Sequence, residues 1–121
     1  MTVRFDSSEK GCGGVLIQTN PQGIEEPIIF ISHTYSIAAQ KWSTIEQEGY
    51  AMFNVLLKLY KYLNGHHFFL ETDHRNLLWL NDQSAPKLVR WRLRLQKFDY
   101  TLIHIPGKTN IIADTMSRCM I

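Results

Sequence analysis

Along the first third of the chain, apolar residues come in short clusters set off by turn-forming residues. Thr2 to Phe5 are β-prone and lead into Asp6, and Ser7-Ser8-Glu9-Lys10-Gly11 reads as a turn. Gly13 to Thr19 holds the compact apolar run Val15-Leu16-Ile17, Asn20-Pro21-Gln22-Gly23 interrupts it, and Ile28 to Ile31 supplies a third β-rich run. Gly, Pro, Asn and Ser between β-branched runs mark strand ends. Three short strands before any helix predict an antiparallel meander.

The period then lengthens. Ser43-Thr44-Ile45-Glu46 has the form of a capping box, in which each side chain satisfies the other end's free backbone N–H. Beyond it Ile45, Met52, Leu56, Tyr60 and Leu63 fall on one helical face, predicting a long helix from about Thr44 to Leu63. Asn64-Gly65 stops it, as a residue in the left-handed conformation does. Phe68-Phe69-Leu70 predicts a buried strand ending at Asp73, followed by a short helix near Arg75–Leu80. Pro86 opens a helix through Phe98, Tyr100 to Ile105 alternates as a strand, Pro106-Gly107 turns, and Asn110 starts a last helix. Strands joined by tight turns pair antiparallel and strands separated by helices pair in parallel. The order β-β-β-α-β-α-α-β-α therefore predicts a mixed sheet with helices on both faces.

With 121 residues, 45% hydrophobic and 20% charged, the chain has the size and balance of a single globular domain spanning residues 1–121. No run approaches the ~18 apolar residues of a membrane span, and no apolar signal segment opens the chain, so no membrane partner is expected. Cys12 and Cys119, 107 positions apart and in no Cys-x-x-Cys spacing, fit neither a disulfide framework nor a zinc ribbon. A soluble intracellular domain is expected. The net charge of +2 is uneven: residues 1–60 hold four Lys/Arg against six Asp/Glu, and residues 61–121 hold nine against five. Five of those nine lie between Lys87 and Lys97 with no acid among them. Such a cluster suits phosphate, and a solvated helix face looks similar.

Four acids stand where folding alone would not favour them. Asp6 ends the first predicted strand and Asp73 the fourth; as parallel neighbours, these strands would bring both carboxylates to one sheet edge, where sites on open α/β sheets gather. Glu48 borders the apolar stripe of the long helix, and Asp114 sits early in the last one. Converging carboxylates repel unless cations neutralise them, and all-oxygen ligands suit Mg²⁺ or Mn²⁺ rather than zinc. Taken singly, Asp6 and Asp73 are equally well read as turn formers or helix caps, and Glu48 and Asp114 as first-turn acids favoured by the helix dipole.

Seven ordered blocks then point to a family. They are Asp6-Ser7-Ser8 with Gly11, Gly13 and Val15-Leu16; Phe30-Ile31-Ser32-His33-Thr34; Lys41-Trp42-Ser43-Thr44-Ile45-Glu46-Gln47-Glu48; and Tyr62-Leu63-Asn64-Gly65. They continue with Thr72-Asp73-His74 and Leu77-Leu78-Trp79-Leu80, then Arg90-Trp91 with Leu95-Gln96-Lys97-Phe98-Asp99. Pro106 to Asp114 with Ser117-Arg118 closes the set. From about Arg4 to Arg118 the chain resembles the ribonuclease H domain of gypsy-class LTR retrotransposon (Metaviridae) reverse transcriptases. It departs from the family at Gly49, where alanine is usual, and in its closing Asp114-Thr115-Met116-Ser117-Arg118, where the family carries Asp-Ala-Leu-Ser-Arg.

The resemblance implies an α/β, ribonuclease H-like fold with a five-stranded mixed sheet of order 3-2-1-4-5. It implies a catalytic and metal-binding set of Asp6, Glu48, Asp73 and Asp114, holding two Mg²⁺ ions with Mn²⁺ as the substitute. In the triplet Glu46-Gln47-Glu48 it assigns the second glutamate to the metals, while the capping box gives Glu46 a structural task. The implied activity is hydrolysis of the RNA strand of an RNA–DNA hybrid. The family domain follows polymerase and connection segments, so the chain is expected to be part of a larger reverse transcriptase polyprotein, in a cytoplasmic retroelement particle or the nucleus.

Other candidates are weaker. His66 and His67 read as surface or turn residues. His104, ten residues before Asp114, matches a histidine that assists near the metals in cellular ribonucleases H, or is a plain strand residue. Lys87, Arg90, Arg94 and Lys97 fall within about 80° of a helical wheel and, with Lys108, are the expected grip on nucleic-acid phosphates. Leu88, Trp91, Leu95 and Phe98 form the adjoining apolar arc and, with Met52, Trp79, Phe68 and Phe69, read as core. Two other functions fit less well: a catalytically silent retroelement-derived domain serving as an interaction or tethering module, and a transposase- or integrase-type nuclease. The latter places its Glu last, whereas here Glu48 comes second.

Overall fold

A computed structural model of the chain describes residues 1–72, 79–80 and 85–105. Strands β1 (Thr2–Ser7), β2 (Gly11–Thr19) and β3 (Glu25–Thr34) form the expected antiparallel meander. The first turn closes through Ser8 N–H donating to Gly11 O at 2.8 Å. In the second, the Asn20 side-chain oxygen accepts from the amides of Gln22 and Ile24 at 3.0 and 2.9 Å, and Gly23 takes the left-handed φ of 82° that favours glycine. β3 outruns its apolar stretch because its polar ends also pair with β2, Glu25 opposite Thr19 and Thr34 opposite Gly11. Strand β4 (His67–Thr72) then joins β1 in parallel, and β5 (Asp99–His104) joins β4 in parallel. The resulting order, β3-β2-β1-β4-β5, is the one expected.

A one-turn helix, α1 (Ile37–Gln40), lacks the length to show a period in sequence; Ser36 caps it, its hydroxyl accepting from Ala39 N at 3.1 Å. Helix α2 (Thr44–Lys58) starts on the expected capping box, with both reciprocal bonds between Ser43 and Glu46 present. The long helix is interrupted once, at Leu59, before α3 (Tyr60–Leu63). The path stays helical, since Leu59 N donates to Val55 O and Leu63 N to Leu59 O, both at 3.1 Å. Asn64-Gly65 ends it, Gly65 having a φ of 79°. Helix α4 (Pro86–Leu95) stops three residues short of the expected Phe98. The helices expected from Asn110 onward and, apart from Trp79 and Leu80, near Arg75–Leu80 lie outside the described residues.

The core lies between α2 and the sheet. Met52, Val55 and Leu56 are fully buried with Val3, Phe5, Phe68 and Leu70. Gly14 admits the helix, because a Cβ there would stand 2.6 Å from a Val55 methyl carbon. Helix α4 packs on α2 with Leu88, Trp91 and Leu95 inward, and the Trp91 ring stacks on Phe53 at a centroid distance of 5.6 Å. One core expectation, Phe69, and one residue of the long helix's expected face, Tyr60, need correction. Phe69 is 44% exposed, because strand alternation turns it away from the face that buries Phe68 and Leu70. Tyr60 is 37% exposed, beyond the interruption at Leu59.

Gly49 offers a test in which two effects compete. Alanine would gain ~1 kcal/mol of helix propensity, but its Cβ would meet the Trp79 ring at 2.9 and 3.0 Å and Leu88 at 3.2 Å. Overpacking of this kind costs roughly 1–3 kcal/mol. Gly49→Ala is therefore expected to lower stability by about 1 kcal/mol net in urea denaturation; a gain in stability would show that the indole yields freely.

Candidate active site

Because β1, β4 and β5 run in one direction, their C-terminal ends share one edge of the sheet. Asp6 stands next to the end of β1, Thr72 ends β4 immediately before Asp73 in sequence, and the exposed His104 ends β5 opposite Thr72. Glu48 approaches from the start of α2 and lines, with Asp6, a hollow of about 170 Å³. Asp6 is 8% exposed and Glu48 6%. Asp6 Oδ1 accepts from the Ser7 amide at 2.8 Å, the local contact also expected of a turn-forming aspartate. Glu46 bonds Ser43 and pairs with Lys87, so of the two glutamates in the triplet it is Glu48 that lines the hollow.

Asp73, Asp114 and Lys108 lie outside the described residues. Among the described residues no three His, Cys, Asp or Glu side chains form a group that could hold a metal ion. The described part of the expected site is thus a pair of buried carboxylates, an all-oxygen donor set that fits a hard cation such as Mg²⁺.

Two residues that sequence reasoning passed over build this corner. Tyr35, 2% exposed, shares a short hydrogen bond with the Ser7 hydroxyl, and its own hydroxyl donates to Gln47 O at 3.2 Å. Burial, and after it the neighbouring Cys12, raises the Tyr35 hydroxyl well above its usual range, so it remains a neutral donor. The buried Gln47 amide donates to Ala39 O at 3.1 Å, Glu9 O at 3.3 Å and Gln40 O at 3.4 Å, joining α2 to the first turn and to α1. No spacing signals such a convergence of backbone carbonyls. Cys12, fully buried, has its thiol pushed up to about 12 by burial, which makes it inert.

The basic arc lies along the seam between α4 and α2. Lys87 pairs with Glu46 and sits 3.9 Å from the centre of the Trp42 ring. Further along, Arg94 overlies Phe53 at 5.2 Å and Lys97, just past α4, overlies Tyr60 at 4.3 Å. Arg90 is exposed. The arc therefore begins two residues from Glu48 in α2 and runs away from it for about 15 Å, at 1.5 Å of rise per residue. An acid from another helix meets its first cation, although none stands among Lys87 to Lys97 in sequence.

The fold and this edge define an RNase H-like α/β domain. RNase H1 from the archaeon Halobacterium salinarum superposes with a TM-score of 0.69 at 19% identity, covering 97% of this chain and 93% of that one. A foamy viral protease–reverse transcriptase in complex with an RNA/DNA hybrid gives 0.63 at 18% identity, covering 88% of this chain and 15% of that one. At such identities the likeness is one of fold. In sequence, residues 1–98 match the RNase H-like domain found in reverse transcriptase. The Pol polyprotein of Drosophila melanogaster transposon 412 is 36% identical over 121 residues, covering 98% of this chain and 10% of the polyprotein. The Schizosaccharomyces pombe transposon Tf2-3 polyprotein is 34% identical over 122 residues, covering 96% and 9%. The chain belongs to the RNase H-like domains of reverse transcriptases, in the gypsy class of retrotransposons, and spans about a tenth of the length of these relatives.

The Lys87–Glu46 pair yields a pH prediction. The hydrogen bond from Lys87 holds the Glu46 carboxyl below its ordinary 4.5, with Ser43 adding to the effect against partial desolvation. A lowered folded-state value means stability that is present above pH 4.5 and lost as pH falls through the folded value. Both side chains are about a quarter exposed, so the contribution is roughly 0.5–1 kcal/mol. Lys87→Met, which keeps a long stem over Trp42, should cost that much in urea denaturation at pH 7 and progressively less as pH falls below 4.5. A cost that does not change with pH would place the lysine's role in packing instead.

Proposed function

We propose that this domain is a metal-dependent endonuclease that hydrolyses the RNA strand of RNA–DNA hybrids during reverse transcription of a retroelement. The observation that carries the reading is the pair of buried carboxylates, Asp6 and Glu48, in one hollow at the edge where the parallel strands end, with Asp73 next in the chain after β4. Asp6, Glu48, Asp73 and Asp114 would hold two Mg²⁺ ions, which when bound supply water activation and charge stabilisation at the phosphodiester. The carboxylates act as ligands rather than as acid or base, and His104 stands at the same edge to take up or release a proton. The basic arc holds the hybrid's backbone, since hybrids are recognised by groove shape, phosphates and 2′-hydroxyls rather than base edges. The remainder of a reverse transcriptase polyprotein is the natural partner, and the intracellular retroelement particle the setting.

Cleavage of a hybrid labelled in its RNA strand, in Mg²⁺, tests the catalytic part. Glu48→Gln and Asp6→Asn should each slow cleavage by more than about a hundredfold, since loss of an outer-shell partner alone costs ~10–100-fold. Cleavage at the unmodified rate in either variant would end the assignment.

The grip is tested separately through salt. Each phosphate contact contributes roughly 0.9 to the log–log salt slope on duplex DNA. The Arg94 cation lies against an aromatic face rather than an acid, so Arg94→Ala should flatten the slope by about one. Lys87→Ala should flatten it less, because Glu46 already offsets that charge. An unchanged slope for Arg94→Ala would make the arc a solvated face.

A further inference from the structure

We infer that Tyr35 is a positioning residue that sets the separation of the Asp6 and Glu48 carboxylates, and through it the affinity of their site for a divalent cation. The inference rests on the metal-site reading above.

A tyrosine hydroxyl in this place is not needed to fill the core. The ring packs edge-on against Tyr50 and His33, at centroid distances of 6.0 and 6.2 Å, and phenylalanine would fill the same volume without burying a polar atom. The buried hydroxyl meets the Cys12 thiol, and its other two bonds each end beside a carboxylate. One is to the side chain of Ser7, the residue after Asp6; the other is to the backbone oxygen of Gln47, the residue before Glu48. With Tyr35 donating to Gln47, the Ser7 hydroxyl is the donor to Tyr35, the nearer of its two acceptors, Ser8 O standing at 3.3 Å. Ser7 is held a second time, its amide donating to Asp6 Oδ1 at 2.8 Å.

Directionality is the reason this matters. Further along, α2 meets the sheet through apolar contact, Val55 against Gly14, which resists separation but leaves small rotations and slides open. Ligand sets need their donors held to about 0.5 Å. Gln47 also ties α2 to Glu9 O, but through the end of a long side chain, whereas the Tyr35 bond reaches the main chain next to Glu48. One hydroxyl thus links the two elements at the level of their carboxylates.

Titration calorimetry with Mn²⁺ on the 121-residue chain tests this without relying on catalysis. Tyr35→Phe is expected to weaken Mn²⁺ binding by about tenfold, the range of lost outer-shell partners, while unfolding remains cooperative. Tyr50→Phe, which removes a hydroxyl from the same aromatic cluster but none directed at Ser7 or Gln47, should leave the affinity unchanged. Tyr35→Phe combined with Ser7→Ala should bind no more weakly than the weaker single variant, because the two act through one bond. Unchanged Mn²⁺ affinity in Tyr35→Phe, or equal weakening in Tyr50→Phe, overturns the inference and leaves the metal site standing. Failure of the unmodified chain to bind Mn²⁺, or unchanged binding in both Asp6→Asn and Glu48→Gln, overturns the metal site itself and the inference with it.

Discussion

Thr2, Val3 and Arg4 lie side by side with Phe69, Leu70 and Glu71 in parallel register, which joins segments 67 residues apart in the chain. Pairing at that separation carries a large loop-closure cost. Burial on the α2 side offsets it, since Val3, Phe5, Phe68 and Leu70 are all fully buried beneath the helix. The rest of the molecule is arranged around this contact. β2 and β3 extend the sheet on one side and β5 on the other, and the chain between β1 and β4 supplies the helix that covers the pair. The edge holding Asp6 exists because β1 and β4 run the same way.

The register of that pairing is fixed by charge as well as by apolar alternation. Arg4 Nε donates to Glu71 on the adjacent strand at 2.8 Å, and Arg4 Nη2 lies 2.8 Å from Glu25 at the start of β3. These residues occupy the face opposite Val3 and Leu70. A slip by one residue would turn Arg4 into the apolar core and Val3 outward. The Arg4–Glu71 pair is largely buried, so desolvation offsets much of its attraction; its larger effect is to select one alignment.

Tertiary contacts also distinguish cations that look equivalent on a helical wheel. Lys87 meets a carboxylate, whereas Arg94 and Lys97 meet aromatic faces. An aromatic face holds a cation without cancelling its charge, so Arg94 and Lys97 remain able to attract phosphate in a way that Lys87 is less able to. The separation between structural and available charge follows from what α2 and α3 present to α4 and the residues just past it.

Periodicity and punctuation in the sequence determined the five strands, the mixed sheet, the capping box at Ser43 and the stop at Gly65, because these depend on local spacing and on which elements follow one another; the strand order came with the family resemblance. Residue chemistry and the family resemblance marked Asp6 and Glu48. The sequence did not reveal α1, the interruption at Leu59 or the outward turn of Phe69, and it made Gly49 look like a lost alanine rather than the seat of Trp79. Above all it did not reveal Tyr35 and Gln47, whose partners belong to other elements: Ser7 in β1, Glu9 in the first turn, Ala39 and Gln40 in α1. Hydrogen bonds between distant segments have no period, so only the folded chain decides them.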